Sequence, residues 1–323
     1  MSVVEQVRER VHAGGLLPRA GVGVVAMLSG GRDSVCLLDV AVAVCGAPRT
    51  RALHVNYGLR SESDGDEEHC RQLCAQLDVA IEVVRAPRAS GAAGNLHAWA
   101  REVRYEAARR LAEEAGGARI AVGHTADDQV ETILYRLAAS PGRRALLGMA
   151  AREGGVVRPL LELEREQTAA YCRERGLPWR EDASNDRLVY ARARVRHGLL
   201  PALQAVHPAA RANVLRTAAL LREETELLDE LVQAELRGGA SIAMARLAEL
   251  PVALARLVAI RMAEDAAGAL VPQAGERVGE LVELWRRGGR AELHVGGLVS
   301  AEIADGRLSM RRIEPRAQRP PRC

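Results

Sequence analysis

The chain contains no lysine, so its 45 basic residues are all arginine. That absence excludes a Walker phosphate loop, which needs a lysine after its last glycine. It also excludes a protein-kinase site, which needs one on its third strand, and Schiff-base chemistry through lysine. Phenylalanine is absent as well and aromatics make up only 2% of the residues, so the core must be built from leucine, valine, alanine and isoleucine. The six cysteines, at 36, 45, 70, 74, 172 and 323, include no Cys-x-x-Cys pair, which argues against a zinc ribbon or a thioredoxin-type site. Cys70 and Cys74 are four apart and read as one half-buried helix face. Scattered, unpaired cysteines suit a reducing cytoplasm. No signal-like apolar stretch opens the sequence and no apolar run nears membrane-spanning length, so no membrane partner is expected. The net charge of +3 is too small to announce a nucleic-acid binder by itself.

What is present begins with Val24-Val25-Ala26-Met27-Leu28 running straight into Ser29-Gly30-Gly31-Arg32-Asp33-Ser34. The pattern predicts a short apolar strand, a glycine turn and a helix starting near Val35. Such a turn builds an anion site: glycines let the backbone approach, N–H groups converge, and the helix dipole favours negative charge. Ser29 and Ser34 add hydroxyl donors. A phosphate-bearing ligand is the first functional expectation. The bland alternative is a serine- and glycine-rich turn in which Asp33 merely complements the helix dipole.

The 323 residues suggest two domains, 1–205 and 206–314, with a disordered tail at 315–323. In the first, strand-like runs at 22–28, 51–56, 80–85, 119–123 and 156–160 alternate with helical patterns at 34–45, 64–77, 96–115 and 127–137. This alternation predicts a parallel sheet with helices on both faces, whose ligands bind at the carboxyl ends of the strands. After a loop at 182–186, residues 209 to 287 read as helix throughout, broken at Gly238-Gly239 and Pro272. Two strand-like runs follow at 291–295 and 298–304.

A second candidate site lies at His124-Thr125-Ala126-Asp127-Asp128-Gln129-Val130-Glu131, where the fourth strand passes into a helix. Asp128 and Glu131, and Asp127 and Glu131, are spaced three and four apart and share one helix face. Clustered carboxylates near a phosphate site serve either to hold magnesium or to bind an ammonium group. Thr125-x-x-Asp128 equally fits a capping box.

The Ser29–Ser34 string resembles the pyrophosphate loop of the N-type ATP pyrophosphatases, which implies a Rossmann-like α/β domain. The ordered set of motifs is similar to the tRNA(Ile)-lysidine synthetase family. It comprises His54-Val55-Asn56-Tyr57-Gly58-Leu59-Arg60, Asn95, Ala100-Arg101-x-x-Arg104-Tyr105, His124–Thr132 and Leu146-Leu147-Gly148-Met149. It continues through Arg158-Pro159-Leu160-Leu161, Trp179-Arg180-Glu181-Asp182-x-Ser184-Asn185 and Tyr190-x-Arg192-x-Arg194-Val195-Arg196. Tyr57, Thr125, Ala139 and Ala193 depart from the family pattern.

The resemblance implies ATP-dependent ligation of free L-lysine to C2 of the wobble cytidine of tRNA(Ile) with a CAU anticodon, through an adenylated tRNA. Ser29, Gly30, Gly31, Arg32, Asp33 and Ser34 would bind ATP, with Asp33 and Asp127 near its Mg2+. Asp128, Glu131 and Arg194 would serve lysine binding and catalysis. Asn56, Arg60, Arg101, Arg104, His124, Arg192 and Arg196 would contact tRNA or phosphates. The helical C-terminal domain, with arginines at 211, 216, 222, 237, 246, 256 and 261, would present a basic face to the tRNA, and a homodimer is compatible with this reading. The competing readings are a tRNA 2-thiolation enzyme of the same superfamily, which would need reactive cysteines, and a non-catalytic nucleotide- or RNA-binding relative.

Overall fold

Strand β1 (Val24–Met27) sends Val24, Ala26 and Leu28 into one apolar cluster and Val25 and Met27 into another. Burial at both parities marks a strand covered on both faces, which is why the run reads as continuously apolar. Around it the computed structural model, which describes residues 1–18, 20–59, 61–88, 95–140, 142–181 and 191–314, forms a six-stranded sheet. The other strands are β2 (Thr50–Asn56), β3 (Ala80–Arg85), β4 (Arg119–Ala121), β5 (Arg152–Glu153) and β6 (Val156–Val157). Their order is β3-β2-β1-β4-β6-β5, parallel except for the antiparallel β5. Strand order turns back at β1, with β2 on one side and β4 on the other, so a crevice is expected beyond their carboxyl ends.

Helix α1 (Val3–Ala13) starts with a reciprocal capping box between Ser2 and Glu5, and buries Val7 and Val11. It packs with α2 (Arg32–Cys45) and α7 (Arg165–Glu174) over one apolar cluster, which includes Leu37, Leu38 and Tyr171. Helix α3 (Ser63–Gln76) adds Cys70, Leu73 and Cys74 to that face, and Trp179 packs against its edge. On the other face α4 (Leu96–Glu114) supplies Tyr105, Ala108 and Leu111. Helices α5 (Ala126–Ala139) and α6 (Arg143–Leu146) follow β4. After α7 come α8 (Ala191–Arg194), a π turn over Val195–Leu199, α9 (Leu200–Val206) and α10 (Ala210–Leu236).

The expected sheet is present, with strands β4 and β6 shorter than the sequence suggested. Pro159, which has no N–H to give a ladder, follows β6 closely. The chain divides into two compact units, Met1–Ala219 and Leu220–Cys323, and the division falls within α10. The reason is packing: Leu203, Val214 and Leu215 join Val130, Leu134, Val195 and Leu200 in a small cluster on α5.

The second unit holds α11 (Met244–Glu249), α12 (Val252–Ala267) and α13 (Val278–Arg286). It also carries an antiparallel sheet of β7 (Ser241–Ala243), β8 (Ala291–Gly296), β9 (Val299–Ala304) and β10 (Arg307–Arg312), in the order β7-β10-β9-β8. Continuous helix from 209 to 287 is therefore corrected at β7. That strand exists because Ile242 pairs with Leu308, a partner supplied from far along the chain. Among the described residues no helix is long and apolar enough to cross a membrane. Arg60, the loop at 182–186 and the tail at 315–323 lie outside the described residues, as do Asp182, Ser184, Asn185 and Tyr190.

Candidate active site

The turn between β1 and α2 is shaped by Gly30, whose φ of +86° suits glycine. The Ser34 hydroxyl accepts from the Ser29 N–H at 3.1 Å and donates to the Gly31 carbonyl at 2.8 Å. The Ser29 and Ser34 hydroxyl oxygens lie 3.1 Å apart, so two hydroxyls converge at the mouth of the helix. Gly31 caps α2 without a side-chain hydrogen bond, which leaves the first-turn N–H groups to a ligand. Two neighbours brace the turn. His54 Nδ1 donates to the Leu28 carbonyl at 2.9 Å, and the Arg180 N–H donates to the Gly30 carbonyl at 2.9 Å. Gly123, just past β4, lies so close that a Cβ there would sit 2.9 Å from the Asp33 carbonyl oxygen.

Beside this turn four carboxylates converge from two helices. Asp33 comes from α2, and Asp127, Asp128 and Glu131 from α5. Asp128 Oδ2 accepts from both the Thr125 N–H (2.8 Å) and the Thr125 hydroxyl (3.0 Å), so the expected cap also fixes a site carboxylate. Glu131 is buried and held by Arg196, whose Nε and Nη2 lie 2.7 and 3.2 Å from its two oxygens. Asp127 accepts the Arg165 N–H at 2.8 Å and pairs with the Arg211 guanidinium. Asp33 accepts a hydrogen bond from the Thr168 hydroxyl at 2.5 Å.

The Arg165 guanidinium sits in the middle of the cluster. It lies 2.9 Å from Asp128, 3.5 Å from Glu131 and 3.6 Å from Asp33. Burial pushes the Asp33 carboxyl up from its ordinary range, and the Asp128 charge adds to this. Thr168, Arg165 and Arg32 pull the other way.

These features, a glycine turn opening a helix at the switch point of a parallel sheet, agree with a family match. The PP-loop domain family matches residues 7–203, well over half of the chain. The chain belongs to the PP-loop family. It is 39% identical over 215 residues to a tRNA(Ile)-lysidine synthase of Pseudomonas fluorescens (strain Pf0-1), a match covering 64% of this chain and 48% of that protein. A tRNA(Ile)-lysidine synthase of Solibacter usitatus (strain Ellin6076) is 36% identical over 293 residues, covering 86% of this chain and 65% of that protein. The chain thus spans about half to two thirds of the length of these curated relatives. Among solved structures, the U34-tRNA thiolase NcsA from Methanococcus maripaludis with its 4Fe–4S cluster shares the fold. Its TM-score is 0.56 at 17% identity, covering 68% of this chain and 79% of that one.

The other residues expected at the PP-loop site are placed as follows. Asn56 is engaged within the chain: its amide donates to Asp64 and Glu67, and its carbonyl oxygen accepts from the Gly58 N–H. It shapes the turn after β2. His124 lies in the short segment between β4 and α5, with Nδ1 buried and without a hydrogen-bond partner among the described residues. Burial is the main cause that drives its pKa down to about 4; Arg158, Arg192 and Arg104 add to this and Asp128 opposes it. His124 is therefore an uncharged imidazole at neutral pH. Arg101 lies over the Tyr105 ring at 4.4 Å. Arg192 reaches Thr132 at 3.5 Å, Arg196 takes Glu131, and Arg194 is exposed on the same stretch.

Arg165, Thr168 and Gln129 were not singled out from the sequence. Gln129 clamps Met149, accepting its N–H at 2.6 Å and donating to its carbonyl at 2.8 Å. Arg211, expected on a basic tRNA-facing surface, instead pairs with Asp127 and with Glu164 at 3.6 Å. The five described cysteines are buried and unpaired. Burial pushes the Cys70 and Cys74 thiols up to about 12, the reverse of a reactive thiolate. Among the described residues no group of three or more His, Cys, Asp or Glu is placed to hold a metal ion.

Proposed function

We propose that the chain is a tRNA(Ile)-lysidine synthetase, joining free L-lysine to the wobble cytidine of tRNA(Ile) with a CAU anticodon at the expense of ATP. The observation that carries this reading is the union of two chemistries in one crevice. An anion-binding turn at Ser29–Ser34 stands beside the carboxylates Asp33, Asp128 and Glu131. ATP needs the first and an amine needs the second.

In the first step the cytidine C2 oxygen attacks the α-phosphorus of ATP and pyrophosphate leaves. Ser29, Gly30, Gly31, Arg32 and Ser34 hold the phosphates, so the work is positioning and charge neutralisation. In the second step the lysine ε-amine attacks C2, AMP leaves, and the amine's proton passes to a neighbouring carboxylate. Asp128 and Glu131 hold the ammonium beforehand. Arg192, Arg194 and Arg196, with Arg101 and Arg104, lie on the elements that would face the tRNA.

A nucleotide-borne magnesium ion asks for one or two carboxylates besides phosphate oxygens and water, not an all-protein cage. Asp33 fits that demand, since its Oδ2 has only a long contact with Arg165. Asp127 fits it less well, because both of its oxygens are engaged by Arg165 and Arg211. Thiolation has little support here, given buried thiols with raised pKa values. The reaction belongs in the cytoplasm, carried out by a monomer or a homodimer.

The test is to incubate the full chain with ATP, Mg2+, labelled L-lysine and unmodified tRNA(Ile) bearing CAU, and to count label in the tRNA. Incorporation that requires both ATP and Mg2+ is expected. No incorporation, with tRNA and protein verified as folded, would sink the reading.

A further inference from the structure

The carboxylates proposed to hold a substrate ammonium already carry cations of the protein's own. Asp128 Oδ2 is taken by Thr125 and Oδ1 by Arg165; both Glu131 oxygens are taken by Arg196. An incoming ammonium must therefore displace a resident group. Geometry decides which one. Arg196 grips Glu131 through two nitrogens, a bidentate arrangement that is costly to break. Arg165 makes one good hydrogen bond, to Asp128 at 2.9 Å, and two long contacts at 3.5 and 3.6 Å.

Arg165 also touches the phosphate side of the crevice, because the third of its contacts is Asp33 of the loop itself. Its guanidinium lies between the anion site and the amine site and is 16% exposed. Resting on the function proposed above, we propose that Arg165 occupies the ammonium seat between Asp128 and Glu131 and is drawn towards the phosphates when nucleotide binds. Nucleotide binding thereby frees the seat, and amine binding follows it. The direction follows from charge. A triphosphate at Ser29–Ser34 adds negative charge on the Asp33 side, and an ammonium between Asp128 and Glu131 repels the guanidinium from the other. Thermodynamic linkage makes the effect reciprocal, so lysine must also tighten nucleotide binding by the same factor.

The test is isothermal titration of L-lysine into the full chain, with and without α,β-methylene-ATP and Mg2+. In the unaltered protein the nucleotide analogue is expected to tighten lysine by about tenfold or more, within the usual range of coupling. Arg165→Gln is expected to bind lysine without nucleotide about as well as the unaltered protein does with it, so the coupling collapses. Arg165→Lys, which keeps a cation in place, is expected to retain it. Equal lysine affinity with and without the analogue in the unaltered protein overturns the proposal, even if Arg165→Gln fails to fold. Undiminished coupling in a folded Arg165→Gln overturns it as well. Lysine binding in neither condition would overturn both this proposal and the reading of the amine site. Uncoupled lysine binding with normal incorporation into tRNA would overturn this proposal alone.

Discussion

Gly123 has no chemistry of its own, yet the loop's geometry depends on it. A Cβ there would lie 2.9 Å from the Asp33 carbonyl oxygen and 3.2 Å from the Ser34 nitrogen, both backbone atoms that cannot turn aside. Gly123→Ala should therefore displace the first turn of α2, destabilise the fold by about 1–3 kcal/mol and weaken ATP more than lysine. Nucleotide and lysine titrations on the folded variant check this, and unchanged ATP affinity would place the nucleotide elsewhere. The carboxylates divide by step. Asp33→Ala should abolish pyrophosphate release, since it removes the acidic group of the loop. Glu131 is better replaced by glutamine than alanine, because Arg196 then keeps a partner of the same shape. Glu131→Gln should leave adenylation standing and raise the lysine concentration needed for the second step. Equal loss of both half-reactions would refute that division.

At the scale of elements, α1, α2 and α7 are tied together by one buried carboxylate. Asp39 of α2 accepts from Arg8 at 3.0 Å, from the Tyr171 hydroxyl at 2.5 Å, and from Arg175 at 2.9 and 3.1 Å. Burial alone would raise its pKa, but hydrogen bonds from Arg175, Tyr171 and Arg8 outweigh burial and hold it below the ordinary range. Asp39→Asn should destabilise the first unit by about 2–3 kcal/mol, read by urea unfolding. No shift in the midpoint would show that the three helices are held by apolar packing alone. This network was not legible in the sequence, whereas β1, the glycine turn and the Thr125–Asp128 cap were, because they depend on neighbours a few residues apart. The cluster acids were also legible, as spacings of three and four on one helix face. Their partners were not: Arg165 meets Asp128 across 37 residues and Thr168 meets Asp33 across 135, distances that only the folded sheet closes. Strand β7 was missed for the same reason, since three residues carry too little pattern to reveal a partner on β10.

For the molecule as a whole, the ionisable groups with the largest resolved shifts lie in the first unit, and their signs can be followed with pH. His124 falls from 6.5 to about 4, mainly through burial, and burial also lowers His54 against the opposing hydrogen bond to Leu28. Between those values the unfolded chain binds protons that the folded chain refuses, so stability falls as pH drops through that window. A shift of the size seen for His124 is worth roughly 3 kcal/mol. At lower pH Glu67 and Asp39 act in the same direction. Hydrogen bonds from Arg85 and Asn56 hold Glu67 down to about 2, so its contribution is complete above the ordinary glutamate range and is lost as pH falls towards 2. Asp33 has the opposite sign, because burial raises it and the folded state binds its proton more readily. The second unit carries no comparable buried histidine; its Glu235, lowered by Arg246, belongs to a largely exposed pair that contributes little. Calorimetry between pH 7.5 and 4.5 should therefore show the melting of Met1–Ala219 moving down while that of the second unit stays nearly fixed, so that a single two-state fit fails on the acid side. His124→Gln, which cannot titrate, should flatten the slope of the first transition between pH 6.5 and 4.5. An unchanged slope would mean that His124 titrates alike in the folded and unfolded chain, and would overturn the lowering by burial.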